Sequence, residues 1–472
     1  MKHGQSFLGN VCVLGLGKTG VEVAHYLLGL QPDRVSSVTL FAGSTTDESE
    51  VTRELTKLGV RVVLGCEEVS GDFDLAIASP GISEFSRFFL SARDCSREIV
   101  GEPEFAWRES PERWVAITGS NGKTTTTSLA TALLREGGMS AAAVGNIGNL
   151  CTTEVARRRP DEWFVAELSS FQLATTSLMH PRVACLLNVT PDHLEWHGSL
   201  EKYALAKEKV FNNLDAGDLA VVSAEDEFCL AAAARLEERG LRVLYVGVHV
   251  QPSHELVAYV RDGRLVVCLG GNEHVLVRTD ELSIKGDHNI ENALFASAVA
   301  VELGVPDEAI GRGLVSFKPL EHRIEPVATV RGVGFVNDSK ATNTDSTEKA
   351  LAAFPPGHIV ILLGGHDKGT DLTSLASVVM RTCKAAVCFG EAGERIARAL
   401  EAKGGDACVL RAPHLREAFA CAVEEADEGD TVLLSPACSS FDEFQNMAER
   451  GRLFKQLVAA LEDERGGSGH RG

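Results

Sequence analysis

The stretch AITGSNGKTT, Ala116 to Thr125, places a lysine and a threonine directly after a glycine-rich loop. That combination grips phosphate: backbone N–H groups and a helix N-terminus cradle the oxygens, a lysine neutralises charge and a hydroxyl ligates Mg²⁺. Gly122, Lys123 and Thr124 meet the pattern G-x-x-x-x-G-K-[ST], while Ile117 stands where its first glycine belongs. WVAIT before the loop reads as a strand, and KTTTTSLATALL after it as a helix from about Lys123 to Arg135. Lys123 is expected at the β- and γ-phosphates and Thr124 at the metal. An N-capped turn is the plainer alternative, since glycine before threonines also suits a cap.

A second glycine-rich turn, formed by Gly15, Leu16, Gly17, Lys18, Thr19 and Gly20, follows the strand VCVLGL with the spacing G-x-G-x-x-G. A dinucleotide site of the NAD type also wants a carboxylate closing the second strand, and SVTLFAGST has none. The turn is left as an anion site at a helix start. FVAELSSFQL puts Glu167 at a strand end, and RVACLLNVTPDHLEWHG puts Asp192 and His193 past the next strand. A carboxylate and a histidine near a phosphate loop suit a hard cation, though a capping histidine explains His193 equally well. His193 and His197 stand four apart but lack the H-E-x-x-H order, which argues against zinc. Lys202, Lys207 and Lys209 in EKYALAKEKVFNNL read, by spacing alone, as a solvated charged face. His288, Asn289 and Asn292 open a helix expected to reach Leu303, where capping and ligand binding are equally good readings.

In the last third, NDSKATNTDS, GGHDKGTD and SPACSSFDEF each follow a strand, so the three polar clusters should lie along one sheet edge. Lys340 and Lys368 beside Ser, Thr and Asn make a cage for a small anionic amino acid. Arg323, in FKPLEHRIEPV, has the reach to touch phosphate.

The elements that must position these residues follow from length and rhythm. A chain of 472 residues predicts roughly three domains, and 44% hydrophobic with 24% charged residues is the composition of a soluble globular protein. A formal charge of −20 argues against nucleic acid or an anionic membrane, so an anionic substrate must be gripped locally. No apolar run approaches the ~20 residues of a membrane span. MKHGQSFLGN leads into a strand rather than a signal-peptide core, and the twelve cysteines form no C-x-x-C pair; a cytoplasmic protein with reduced thiols is expected. Short β-branched runs alternate with helical stretches, the rhythm of parallel α/β sheets. REIVGEPEFAWRESPERW breaks it and reads as the first boundary, FKPLEHRIEPV as a second linker, Glu255 to Leu282 as a hairpin region turning at RDGR, and EDERGGSGHRG as a disordered tail.

In chain order, TGSNGKTTT, the N-x-G of GNIG, ELSSFQL, LNVTPDHLEWHGSLEKYALAKEKV, GDHNIENALFA, EHR and NDSKATNTDS resemble the motifs of the Mur ligases over nearly the whole chain. NDSKATNTDS and SPACSSFDEF are similar to those of the D-glutamate-adding branch, and sister ligases differ where this chain has DSKATN. The resemblance implies an α/β protein of three domains: a Rossmann-like UDP-substrate domain (1–103), a central P-loop ATPase domain (104–320) and a Rossmann-like C-terminal domain (321–472) that brings the amino acid. It implies that ATP, UDP-N-acetylmuramoyl-L-alanine and D-glutamate yield ADP, phosphate and the D-glutamyl amide through an acyl phosphate, in cytoplasmic peptidoglycan precursor synthesis.

Matching positions imply roles. Gly119, Ser120, Asn121, Gly122, Lys123, Thr124 and Thr125 surround the ATP phosphates, Asn289 and Asn292 lie near adenine and ribose, and Arg323 and Asp338 touch ATP from the C-terminal domain. Two Mg²⁺ sites are implied, one at Thr124 and Glu167 and one at His193, with Lys207 matching a lysine that becomes a carbamate; Lys123, His193 and Lys207 take the catalytic roles. Gly15 to Gly20 match the turn at the UDP diphosphate, with Ser79, Pro80, Gly81, Asn146 and Ser169 near the same substrate. Lys340, Thr344, Lys368, Ser440 and Phe441 fall where the family surrounds D-glutamate.

The chain departs from many relatives at Phe41, Ala42, Gly43 and Ser44, where an Asp-Thr-Arg-like stretch holds the uridine end, and at Met447, where an aromatic residue is often found. A monomer without nucleic-acid or membrane partner is expected. DSKATN and SPACSSFDEF argue against a sister Mur ligase or a folylpolyglutamate synthetase-like enzyme. The joint presence of Lys123, Glu167, His193 and Lys207 argues against a non-catalytic nucleotide sensor.

Overall fold

The structure is a computed structural model that describes residues 6–44, 46–192, 194–318, 321–367 and 369–466. Of the residues singled out above, His193 and Lys368 lie outside the described residues. Three parallel-rich sheets carry the chain, gathered into two compact units: residues 1–282 with 289–317, and residues 283–288 with 318–472. The first unit holds two sheets and the second unit one.

The first sheet comprises β1 (Gly9–Leu14), β2 (Val35–Gly43), β3 (Arg61–Cys66), β4 (Leu75–Ala78) and β5 (Ile99–Gly101), all parallel in the order β3-β2-β1-β4-β5. Its order reverses between β1 and β4, so a crevice opens past their carboxyl ends, where ligands gather in such sheets.

The second sheet comprises β6 (Trp114–Thr118), β7 (Ala141–Gly145), β8 (Trp163–Glu167), β9 (Val183–Leu186), β10 (Leu219–Ser223), β11 (Arg242–Gly247), β12 (Val257–Arg261), β13 (Arg264–Leu269) and β14 (Asn272–Arg278). Its order is β14-β13-β12-β11-β10-β9-β6-β8-β7, parallel from β12 to β7 and antiparallel at the last two strands. Every residue of β6 is buried, as in a parallel strand covered on both faces. The expected hairpin is present, with Asp262 and Gly263 both left-handed at its tip (φ +52° and +69°).

The third sheet comprises β15 (Glu325–Val330), β16 (Val333–Asn337), β17 (Ile359–Gly364), β18 (Ala385–Phe389), β19 (Cys408–Arg411) and β20 (Thr431–Ala437), in the order β15-β16-β20-β17-β18-β19. Only β15 runs antiparallel.

Two sequence expectations are corrected, and two further features are ones the sequence did not announce. FKPLEHRIEPV is not wholly a linker: its end enters β15, where Pro326 is tolerated because the strand lies at the sheet edge. β7, built from AAAVG, lacks the β-branched run that would announce it. Helix Met447–Gly466 extends into the stretch expected to be a disordered tail.

The charged stretch read as the first boundary forms β5 and helix Glu102–Glu109. Glu102 and Glu104 are fully buried. The Glu104 carboxylate accepts from the backbone N–H groups of Ser177, Leu178 and Met179 at 3.2, 3.1 and 3.0 Å, and from Arg108 Nε at 2.9 Å. Glu102 accepts from the Thr152 N–H at 2.6 Å. Charged residues read as solvated in a sequence, but backbone donors hold both carboxylates in a packed joint, with Glu102 Oε2 left unpartnered.

Candidate functional site

The glycine-rich loop runs from the buried end of β6 into helix Lys123–Glu136. Gly119 and Gly122 have φ of +156° and +82°, and Gly122 is the helix N-cap. A Cβ at Gly122 would stand 2.3 Å from Asn292 Oδ1, so only glycine fits this conformation and contact. The segment after β9 holds the loop from beside. Asn188 Oδ1 accepts from the Asn121 N–H at 2.8 Å, the Ser120 N–H donates to Asn188 O at 2.9 Å, and Ser120 Oγ donates to Thr190 O at 3.0 Å. From below, Thr126 Oγ1 donates to Asn292 Oδ1 at 3.0 Å, and Asn292 Nδ2 donates to Asn289 Oδ1 at 3.1 Å. The two asparagines read from the sequence at a helix start thus brace helix Asp287–Glu302 to the loop helix.

Because β6 lies between β8 and β9, the carboxyl ends of the three strands stand side by side. Glu167 ends β8 and is 1% exposed. Its Oε1 accepts from Asn146 Nδ2 at 2.7 Å, while its buried Oε2 has no hydrogen-bond partner. An orphaned carboxylate oxygen beside a phosphate-gripping loop is what a divalent cation satisfies, so Glu167 with the Thr124 hydroxyl fits a hard metal ion. Ser169, two residues on, caps helix Ser170–Ala174 in a reciprocal capping box with Gln172.

Lys207 overturns the solvated-face reading. It is 1% exposed, and its Nζ donates to Gly119 O at 2.7 Å and lies 4.4 Å from the Tyr203 ring centroid. Lys123 Nζ donates to the same carbonyl at 2.8 Å, and to Ser120 O at 2.8 Å. Burial, and then the positive charge of Lys123, push the Lys207 amine well below the ordinary lysine range, toward the neutral form. Lys202 is exposed, and Lys209 donates to Ala174 O at 2.6 Å. His197 is buried with Nε2 2.9 Å from Ser170 Oγ, so it is packed into the fold rather than presented to a metal with His193.

At the end of β1, Gly15 has φ +94°, and a Cβ at Gly20 would lie 1.8 Å from Gly15 O. The final glycine of the turn therefore lets helix Lys18–Leu28 close on the strand. The Ser79 N–H donates to Leu14 O at 3.1 Å, bringing Ser79, Pro80 and Gly81 beside this turn, and Ser79 Oγ is buried without a partner. Lys18 Nζ donates to Gly148 O at 2.9 Å, tying the turn to the GNIG loop that carries Asn146. Phe41 and Ala42 are buried core residues of β2, with Phe41 edge-on to Phe73 at 5.9 Å, so their side chains do not face a ligand.

In the second unit the three polar clusters follow β16, β20 and β17, which are neighbours, as expected of one sheet edge. Arg450, which the sequence analysis did not single out, joins them. It is fully buried; its Nη1 donates to Cys438 O at 3.0 Å, Ser439 O at 3.3 Å and Gly364 O at 3.4 Å, its Nη2 to Ser339 O at 2.9 Å and its Nε to Ser339 Oγ at 3.0 Å. Burial lowers this guanidinium to about 10, which leaves it charged at neutral pH. Around this hub, Lys340 follows β16, Thr344 starts a helix capped by Asn343, Ser440 is buried and Phe441 is 69% exposed. Arg323 sits between His322 and Ile324, both with positive φ (+66° and +41°).

Asp338, at the end of β16, accepts from Ser435 Oγ at 2.7 Å and the Ile324 N–H at 3.2 Å. Burial nonetheless raises its carboxyl to about 7. A carboxyl raised in the folded state binds a proton that the unfolded chain has released, so stability falls as pH rises from about 4 to 7. We predict that Asp338→Asn flattens this slope and melts above the parent protein at pH 8. Equal melting temperatures at pH 8, with the slope retained, would place the titration elsewhere.

The central stretch, residues 117–300, matches the family of the Mur ligase middle domain, and residues 322–438 match the Mur ligase glutamate ligase domain. The UDP-N-acetylmuramoylalanine--D-glutamate ligase of Koribacter versatilis is 38% identical over 96% of this chain and 98% of its own length. The protein of that name from Acidobacterium capsulatum is 39% identical over 95% and 96%. Among solved structures, MurF of Acinetobacter baumannii shares the fold with a TM-score of 0.61 at 16% identity, covering 91% of each chain. The UDP-N-acetylmuramate-alanine ligase of Thermotoga maritima does so with a TM-score of 0.57 at 21% identity, covering 96% of this chain and 99% of its own.

Proposed function

The chain belongs to the Mur ligase family, and from that premise we propose that it joins D-glutamate to UDP-N-acetylmuramoyl-L-alanine with cleavage of ATP to ADP and phosphate, in peptidoglycan precursor synthesis. The observation that carries the reading is the meeting of Lys123, Lys207 and Glu167 at the ends of β6 and β8, with two amines on one carbonyl and one carboxylate oxygen unpaired.

In the proposed reaction the substrate carboxylate attacks the γ-phosphorus, the bond to ADP breaks and an acyl phosphate forms. The D-glutamate amine then attacks the acyl carbon, loses a proton and expels phosphate from a tetrahedral intermediate. Loop N–H groups from Gly119 to Thr125 and the Lys123 ammonium bear the charge that develops on the transferred group. Thr124 and Glu167 would hold one Mg²⁺ and His193 a second, and bound there the ions would neutralise charge on the phosphates. Gly15 to Gly20 with Ser79, Pro80, Gly81, Asn146 and Ser169 hold the UDP-sugar. Asn289, Asn292, Arg323 and Asp338 serve ATP, and Lys340, Thr344, Lys368, Ser440 and Phe441 receive D-glutamate. The three functions fall to segments 1–103, 104–320 and 321–472, in a monomer of the cytoplasm.

Lys207 enters as a carbamate. A neutral amine adds to carbon dioxide and releases a proton, turning a group whose charged form Lys123 repels into a carboxylate that Lys123 attracts and that offers oxygen to a hard cation. The fully buried, deprotonation-prone amine supports this role.

Phosphate release tests the assignment with UDP-N-acetylmuramoyl-L-alanine and, in turn, D-glutamate, L-alanine, L-lysine or meso-diaminopimelate. Release is expected with D-glutamate alone. Release driven by another amino acid would assign a sister ligase, and none with any would leave a nucleotide sensor.

A further inference from the structure

Phe85 is 67% exposed, so much of its ring is open to a ligand. It lies on the segment that follows β4 and begins with Ser79, Pro80 and Gly81. Its ring stands 6.4 Å from Trp196, at 63° between planes, and so spans from the first sheet to the second within the same compact unit.

Trp196 is fixed from behind. Its ring is 4.6 Å from Phe171 and 4.5 Å from His197, Phe171 stacks on His197 at 5.7 Å, and His197 Nε2 is held by Ser170 Oγ at 2.9 Å. Phe171 belongs to the helix capped by Ser169, which directly follows Glu167 and Leu168. The aromatic pair therefore joins two segments with different duties. One flanks the glycine turn at Ser79, and the other leads back to the Glu167 carboxylate.

A UDP-sugar acid that places its diphosphate at the first and its reacting carboxylate near the second must lay its sugar ring between them. A pyranose offers a face of C–H groups, which an aromatic ring meets by dispersion without adding charge to a protein of net charge −20.

We propose that Phe85 and Trp196 form a platform on which the amino-sugar ring of the UDP-linked substrate stacks, making Phe85 a positioning residue that discriminates the sugar from the nucleotide. The inference rests on the ligase reading for the identity of the sugar. Its test is binding, which does not require turnover. Titration calorimetry would compare UDP-N-acetylmuramoyl-L-alanine with UDP alone on the full chain, for the parent protein, Phe85→Ala, Phe85→Tyr and Trp196→Ala.

Loss of one stacked ring should weaken the UDP-sugar ~tenfold while leaving UDP within about twofold, and Phe85→Tyr should restore the parent affinity. Phe85→Ala should melt with the parent protein, since the ring is mostly in water. Unchanged affinity for the UDP-sugar, or parallel loss of UDP, overturns the platform. A parent protein that binds the UDP-sugar with the expected ring dependence, yet releases no phosphate with any amino acid, would sink the ligase reading and leave the platform standing.

Discussion

Lys207→Ala should lower D-glutamate-dependent phosphate release by about 10²- to 10³-fold, the usual scale for removing one preorganised charge-stabilising group. Formate, acetate or propionate should restore a large part of it. The expectation follows from the buried position of the amine beside Lys123 and from the preference for its neutral form. On the proposed role, truncation removes the carbamate and leaves a space that a small carboxylate can fill, supplying the same oxygen donors.

A merely structural role makes a different forecast. If Lys207 serves only as a donor to Gly119 O, carboxylates will not rescue Lys207→Ala. Lys207→Met, which fills the space without a carbamate, should be inactive and resist rescue. Normal turnover by Lys207→Ala would refute the carbamate. Stability should suffer little, because burying an amine among apolar side chains and beside another cation is itself unfavourable.

The sequence made the phosphate loop legible because its chemistry is local: Gly122, Lys123 and Thr124 are consecutive and lie between a strand and a helix. The strand-end clusters were legible for a similar reason, since parallel sheets present the residues after successive strands at one edge. Burial of charge was not. Lys207 follows Tyr203 by four residues and precedes Phe211 by four, and all three are buried on one side. Arg450 likewise precedes Phe454 and Val458 at four-residue steps, all fully buried. Both cations stand in phase with an apolar stripe, a pattern that signals a buried charge, yet charged neighbours such as Lys209, Glu449 and Arg452 disguise it as a surface helix. The partners that stabilise these cations are loop carbonyls from distant segments, which no helical period can announce.

The Arg450 hub gives the largest expected effect on stability. Arg450→Met keeps an apolar stem of similar reach but takes this donor from the carbonyls of Ser339, Gly364 and Cys438, while Ser439 O retains the His366 N–H at 2.8 Å. Each unsatisfied buried acceptor costs about 1–3 kcal/mol, and shared relaxation makes such costs less than additive, so a loss of roughly 3–5 kcal/mol is expected. In a unit of this size that lowers the melting temperature by roughly 10 °C. Arg450→Lys should fall between the two, because an ammonium has three donors and cannot reproduce the planar fork that meets several carbonyls at once. The segments it joins follow β16, β17 and β20, so residual activity at low temperature should show a raised KM for D-glutamate. Thermal melting with steady-state kinetics at 15 °C checks both parts. An Arg450→Met protein that melts with the parent and keeps its KM would show that the three segments hold their places without this guanidinium.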